Sequence, residues 1–249
     1  MRIVHFSDWH GDAFDLPPGD LYACTGDMLP NFRIFDVDLK DGGKAEWEDN
    51  LDLLGETLRP QPAGPFVKRP PDSAREAHLQ TRYLAHKGHG HLRARFGTPG
   101  APVACCRGNH DFVGIAPLFA GGPVFEIGED PERVWEILGL RIGGVRGVKR
   151  HRGRWSDELD AAEFDDRARR LPSDLDVLVT HAPPEGILDE IPGESIGSPA
   201  LRAYVARHDP SLPPLRAHLY GHVHEAKGKV AFGGTVFSNA SRGWNVIDI

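Results

Sequence analysis

Three cysteines in 249 residues are too few for a disulfide framework. Cys24 lies in "LYACTGD", and Cys105 and Cys106 lie in "PVACCRGNH". All three sit in apolar segments, the setting of buried, reduced thiols rather than of redox or metal-binding ones. No apolar run reaches the length needed to span a bilayer. A basic-then-apolar leader is missing too, because "MRIVHFSDWH" runs straight into a strand pattern, so the expected location is the cytoplasm. Positive charge is in short supply: the formal net charge is −7, which argues against a broad nucleic-acid footprint. It leaves a nucleotide substrate open, since bound metals can supply local positive charge. Internal repeats, a low-complexity tail and a domain boundary are also lacking. The expectation is a single domain over 1–249, with an insertion at about 32–100 between two core strands.

What is present is an ordinary soluble globular composition, 40% hydrophobic and 26% charged, long enough to bury a sizeable core. Four segments share one form: an apolar run, then Gly, Ser or Thr, then a polar cluster. They are "MRIVHFSDWHGD", "DLYACTGDMLPN", "APVACCRGNHDF" and "LDVLVTHAPPEG", with "RAHLYGHVHE" as a fifth. Continuous apolar runs of this length predict strands buried on both faces. Each polar cluster then falls at a strand's C-terminal end, where open sheets place their sites.

Helices are predicted over Lys44 to Leu58, over Ser73 to Phe96 with a break near Gly88 and Gly90, and from Ser156 as cap through Leu171. Ser198 and Pro199 make an N-cap and first-turn pair for a helix through Ala206. "RVWEILGLRIGGVRG" reads as two strands joined near Leu138 and Gly139, and "GKVAFGGTVFSNASRGWNVIDI" as short antiparallel strands with glycine turns. The Pro-rich stretch "RPQPAGPFVKRPPD" reads as a loop.

The polar residues at the five strand ends are Asp8, His10, Asp27, Asn109, His110, His181, His222 and His224. Each alone has a bland reading as a capped or hydrogen-bonded side chain. Together, with His110 left over, two aspartates, one amide and four histidines suit two divalent ions such as Mn, Fe, Zn or Ni. Two close ions need a bridging anion, and Asp27, an ionisable group beside the core, fits that role. "HKGHGH", from His86 to His91, is a weaker metal candidate and reads better as a polar turn.

The ordered blocks "DWH", "GD", "GNHD", "TH" and "GHVH" resemble those of the calcineurin-like metallophosphoesterase superfamily. "THAPPEGILDE", "GSPALRAYVARHDP" and "HLYGHVHEAKG" are similar to its small phosphodiesterase-like branch. The resemblance implies an α+β, four-layer αββα sandwich: two mixed β-sheets flanked by helices, with the metal site at strand ends. It implies one metal held by Asp8, His10, Asp27 and His224, and a second by Asp27, Asn109, His181 and His222. It makes His110 a non-ligand catalytic residue near the phosphate, with Asp111 as a candidate to orient its ring. "GDMLPN" lacks the VDRG-type run of the Ser/Thr protein phosphatases, and no tyrosine stands where purple acid phosphatases have a ligand.

The implied activity is hydrolysis of a small phosphodiester or phosphomonoester by a hydroxide activated between two divalent metals. A nucleotide is one candidate substrate; no membrane partner and no DNA-binding module is indicated, and the oligomeric state is left open. The alternative is a catalytically silent module on the same fold. Residues 32–100 and 146–165 are expected to shape the substrate pocket. The basic stretch Arg141, Arg146, Lys149, Arg150, Arg152 and Arg154 reads as a solvated loop, with a phosphate-facing arm as the minority reading. Trp9 reads as a wall of the site.

Overall fold

The computed structural model describes residues 1–12, 15–31, 73–85, 95–119, 121–150, 155–207 and 211–249. The predicted helix over Lys44 to Leu58, the Pro-rich loop and "HKGHGH" lie outside the described residues, as do Arg152 and Arg154.

Two large sheets form the centre. The first has five strands: β1 (Arg2–Ser7), β3 (Leu21–Cys24), β5 (Val103–Cys105), β6 (Val124–Glu126) and β17 (Gly243–Asp248), in the order β17-β1-β3-β5-β6. All pairs are parallel except β1 with β17. The second has six: β7 (Trp135–Ile137), β8 (Leu140–Val145), β11 (Val177–Thr180), β14 (Ala217–Tyr220), β15 (Gly228–Phe232) and β16 (Thr235–Asn239), in the order β15-β16-β14-β11-β8-β7. Its four inner strands are parallel and its two edges antiparallel. Three two-stranded ribbons decorate this frame: β2 (Asp15–Leu16) with β4 (Arg95–Phe96), β9 (Val148–Lys149) with β10 (Glu158–Leu159), and β12 (Glu190–Ile191) with β13 (Glu194–Ser195).

The period-two alternation of side chains along a strand explains the layering. Ile3, Leu21, Ala23 and Ala104 of the first sheet pack against Ile142, Val177, Val179, Ala217 and Leu219 of the second. Their neighbours Val4, Phe6, Tyr22, Cys24, Val103 and Cys105 face the other way, onto Leu79 and Tyr83 of helix α1 (Ser73–Tyr83). On the far side, Val145 and Leu178 pack on Phe164 and Ala168 of α2 (Ala161–Arg169) and on Leu201 and Tyr204 of α3 (Pro199–Ala206). The order of layers is therefore helix, sheet, sheet, helices, the four-layer sandwich expected. Both faces of the inner strands are buried, which is why these strands read as unbroken apolar runs. The three thiols are free and buried, and burial pushes the Cys106 thiol up to about 12.

Local expectations fare unevenly. Ser198 caps α3, its side chain accepting from the Leu201 N–H, with Pro199 in the first turn. The turn between β7 and β8 is Leu138-Gly139, both at positive φ, as a two-residue hairpin requires. Two helices differ from expectation. The one from Ser73 is α-helical only to Tyr83, and Phe96 belongs to β4. The helix assigned to Ser156 begins instead at Ala161, with Asp160 at its cap, and Glu158 is in β10. No helix among the described residues is long and apolar enough to cross a membrane.

Candidate metal centre and its cleft

The C-terminal ends of β1, β3, β5, β11 and β14 deliver the polar clusters to one place. The chain turns sharply at each. Asp8, His10, Asp27 and His222 all take positive φ, from 46° to 72°, a conformation that costs roughly 1–3 kcal/mol for each non-glycine residue and gathers at functional sites. The glycines of the motifs serve close approach. A Cβ at Gly108 would overlap the Asp27 carboxylate, and one at Gly221 would overlap Ser7 Oγ and the Asp8 carboxylate.

Three groups of side chains converge with their ligand atoms within 4.8 Å of one another: Asp8, His10 and His224; His10, Asp27 and His110; Asp27, His181 and His222. Asn109 lies among them, its Oδ1 at 3.0 Å from His181 Nε2 and 3.1 Å from His222 Nδ1. All seven ligands expected from the sequence thus line one floor, and His110 reaches it too. Asp27 and His10 each belong to two groups. Asp27 Oδ2 is 3.2 Å from His181 Nε2 and 3.9 Å from His110 Nε2. Asp8 Oδ1 is 3.2 Å from His224 Nε2.

The electrostatics of this floor are set by its two buried aspartates. Burial alone would push the Asp8 and Asp27 carboxyls up, yet both are held well below the usual carboxylate range, Asp8 by His224 and His181, Asp27 by His181, His110 and His10. Burial would push His181 down, and Asp27 raises it to about 9 instead. Asp8 likewise raises His224 against burial. His222 and His110, where burial wins, fall to about 4 and about 3. The two buried carboxylates therefore draw protons onto His181 and His224. Among the described residues no Lys or Arg pairs with either aspartate; their charged partners are histidines. Carboxylate, amide and imidazole donors around a buried negative charge fit divalent cations, which would take the place of those protons.

Asp111 does not orient the His110 ring. Its carboxylate accepts from the backbone N–H groups of Asp27, Met28, Leu29 and Gly108 at 2.8–3.0 Å, fastening the "GD" turn to the "GNHD" turn. The ring packs against the His10 ring, centroids 4.6 Å apart, and has two further neighbours. The Asn31 amide nitrogen donates to His110 Nδ1 at 2.6 Å, and the Trp155 indole stacks on it with centroids 3.7 Å apart. Sequence reasoning missed both. The one available signal for Trp155 was an aromatic residue placed among basic ones in "RHRGRWSDE". Trp9 is buried, packs on Phe6 and donates its indole N–H to the Gly243 carbonyl at 3.2 Å.

A cleft of about 480 Å³ opens above the floor. Two segments line it: Val148, Lys149, Arg150, Trp155, Glu158 and Ala161 from one, and Ile191, Glu194, Ser195 and Ile196 from the other. The first belongs to a segment expected to shape the pocket. Its basic residues divide: Arg146 pairs with Glu129 and Asp157 outside the cleft, whereas Lys149 and Arg150 line it, Arg150 pairing with Asp160 as well. Arg141 pairs with Asp174 and Glu136.

Comparison with known proteins agrees with this geometry. The calcineurin-like phosphoesterase family model matches residues 1–226. The chain is 39% identical to the UPF0046 protein K07C11.7 of Caenorhabditis elegans over 74 residues, 30% of this chain and 24% of that one. It is 40% identical to the human and mouse metallophosphoesterase domain-containing protein 1 over 73 residues, 28% of this chain and 21% of each relative. These matches span a quarter or less of the curated relatives' length. A solved crystal structure, 14% identical, superposes with a TM-score of 0.52 over 96% of this chain and 90% of its own, a likeness of fold.

Proposed function

We propose that this chain, which belongs to the calcineurin-like phosphoesterase family, hydrolyses a small phosphodiester or phosphomonoester with two divalent ions from among Mn, Fe, Zn and Ni. The observation that carries the reading is the overlap of three ligand groups through Asp27 and His10 at the bottom of an open cleft. Asp8, His10 and His224 would hold one ion, Asn109, His181 and His222 the other, and Asp27 both. Such ions, when bound, lower the pKa of water and offset phosphoryl charge.

The chain's own groups supply the rest. With Asn31 donating to Nδ1, the His110 ring carries its proton on Nε2, the nitrogen nearer Asp27. That N–H donates to the leaving oxygen or to a phosphoryl oxygen. Val148, Trp155, Ile191 and Ile196, which line the cleft, exclude water from the organic part of the ester. The volume of about 480 Å³ suits a ligand of nucleotide size.

Metal analysis combined with an assay on bis-p-nitrophenyl phosphate tests the proposal. Two ions per chain and turnover that depends on them are expected. Bound ions without turnover across a panel of phosphoesters would instead establish the silent binding module.

A further inference from the structure

Four consecutive residues, Trp155 to Glu158, form a strap across the "GNHD" loop, and each one is fastened. The Trp155 indole lies face to face with His110, planes 28° apart. Ser156 Oγ donates to the Asp111 carbonyl at 2.9 Å. The Asp157 carboxylate accepts from Arg107 Nη2 at 2.9 Å and lies 3.6 Å from Arg146 Nε. The Glu158 carboxylate accepts from the Trp155 backbone N–H at 3.2 Å. Asp157 sits at φ 51°, a strained conformation for a non-glycine residue, held by these contacts.

An imidazole held at one edge is not yet placed. The Asn31 hydrogen bond at Nδ1 fixes the direction in which the ring points, and the His10 ring meets it steeply, centroids 4.6 Å apart and planes at 75°; neither contact lies parallel to the ring, which leaves a tilt out of its plane. A stacked aromatic face removes that tilt. We infer that Trp155 is a positioning residue. It acts through His110 to hold Nε2 over the floor, and the Ser156–Glu158 strap holds Trp155. This inference rests on the reading of His110 as the group that donates to the substrate.

The test is a double-mutant cycle on Mn-loaded protein with bis-p-nitrophenyl phosphate, comparing Trp155→Ala, His110→Ala and the pair. Trp155→Ala should lower kcat by about 10²-fold, the scale of an ångström-sized misplacement, with KM and metal content little changed. Trp155→Phe, which keeps a stacking face, should recover most of the loss. In the His110→Ala background the Trp155 substitution should cost nothing more. In diamagnetic Zn-loaded protein the His110 ring-proton resonance should lie upfield under the indole ring current, move downfield in Trp155→Ala and return in Trp155→Phe. If Trp155→Ala does not fold, Trp155→Leu, apolar but without an aromatic face, takes its place with the same expectations. Equal losses in both backgrounds would overturn the inference and make Trp155 a direct substrate contact. A Trp155 variant as active as wild type, beside an impaired His110→Ala, would overturn it as well. A fully active His110→Ala would instead bring down the reading of His110, on its own arm of the cycle.

Discussion

The floor of the cleft and its walls are built differently. The floor is made by loops leaving five strands of two large sheets, with Asp8, Asp27 and His181 almost entirely buried and four residues strained at positive φ. The walls are two-residue ribbons, β9–β10 and β12–β13, joined to the sheets by turns. A floor of this kind tolerates no error, because an unpaired buried carboxylate is costly. A wall of this kind changes at little cost to the fold, as surface loops on a rigid scaffold do. The difference assigns chemistry to the floor and choice of substrate to the walls.

The sharpest way to break that division is at Asp27. It belongs to two ligand groups, so Asp27→Asn should impair binding of both ions and lower turnover by about 10³-fold or more, given that metals contribute several kcal/mol to the transition state. Asp8→Asn or His10→Ala should mainly affect one ion, because neither residue shares a ligand group with His181 or His222. Metal content after dialysis checks this, and an Asp27→Asn protein with two ions and normal turnover would sink the bridging assignment.

Next is His110, which reaches the floor but also stacks on a wall residue. His110→Ala should keep both metals and reduce turnover by roughly 10²–10⁴-fold. The loss should be greater for a poor leaving group such as an alkoxide than for p-nitrophenolate, which departs without a proton. Loss of an ion on this substitution would move His110 into the ligand set, a place that its grouping with His10 and Asp27 makes geometrically open.

The walls should respond differently. Ile191→Ala or Ile196→Ala removes apolar lining of the cleft. Each should raise KM about tenfold, while kcat and metal content hold. A fall in kcat with KM unchanged would mean that Ile191 and Ile196, and not Trp155 alone through His110, take part in the chemistry, and that the division between floor and wall is wrong.

The same contrast explains what could be read from the chain. The floor was legible because each ligand follows an apolar run within a few residues, so strand and site are announced together. The sheets were legible for the same reason, and the Ser198 cap because its chemistry is local. The strap was not, because its partners are 45 to 50 residues away: Ser156 with Asp111, Asp157 with Arg107. "SDE" at 156–158 also reads as a good helix start, and local preference pointed there. The two arginines hold Asp157 outside the helix, which leaves Asp160 as the cap. Asp111 was misread because one residue's distance from His110 suggested a side-chain pair, whereas its carboxylate collects four backbone donors.

The smallest expected effect lies beneath the floor and concerns stability rather than turnover. His5 and His218 are fully buried between neutral partners: His5 contacts Ser238 Oγ and Thr25 Oγ1 at 2.8 and 3.0 Å, and His218 Nε2 is 2.9 Å from Thr180 Oγ1. Burial lowers both imidazoles to about 3; Asp8 pulls His5 the other way, and His5 pushes His218 further down. A histidine depressed in the folded state takes up its proton in the unfolded chain first. Its contribution is therefore complete above about pH 6.5 and is lost as pH falls toward about 3. At pH 5 each should cost about 2 kcal/mol relative to pH 7.5. Asp8 and Asp27 titrate lower, and Asp111, which burial and Asp27 raise to about 7, is common to wild type and variant, as are the other histidines. The difference in denaturant midpoint between pH 7.5 and pH 5 should therefore shrink in His218→Gln, and by a similar amount in His5→Gln. Hydrolysis at neutral pH should be unchanged in both. An acid sensitivity identical to wild type in both variants would show that these histidines are already protonated in the fold, and that the floor rests on charge rather than on neutral hydrogen bonds.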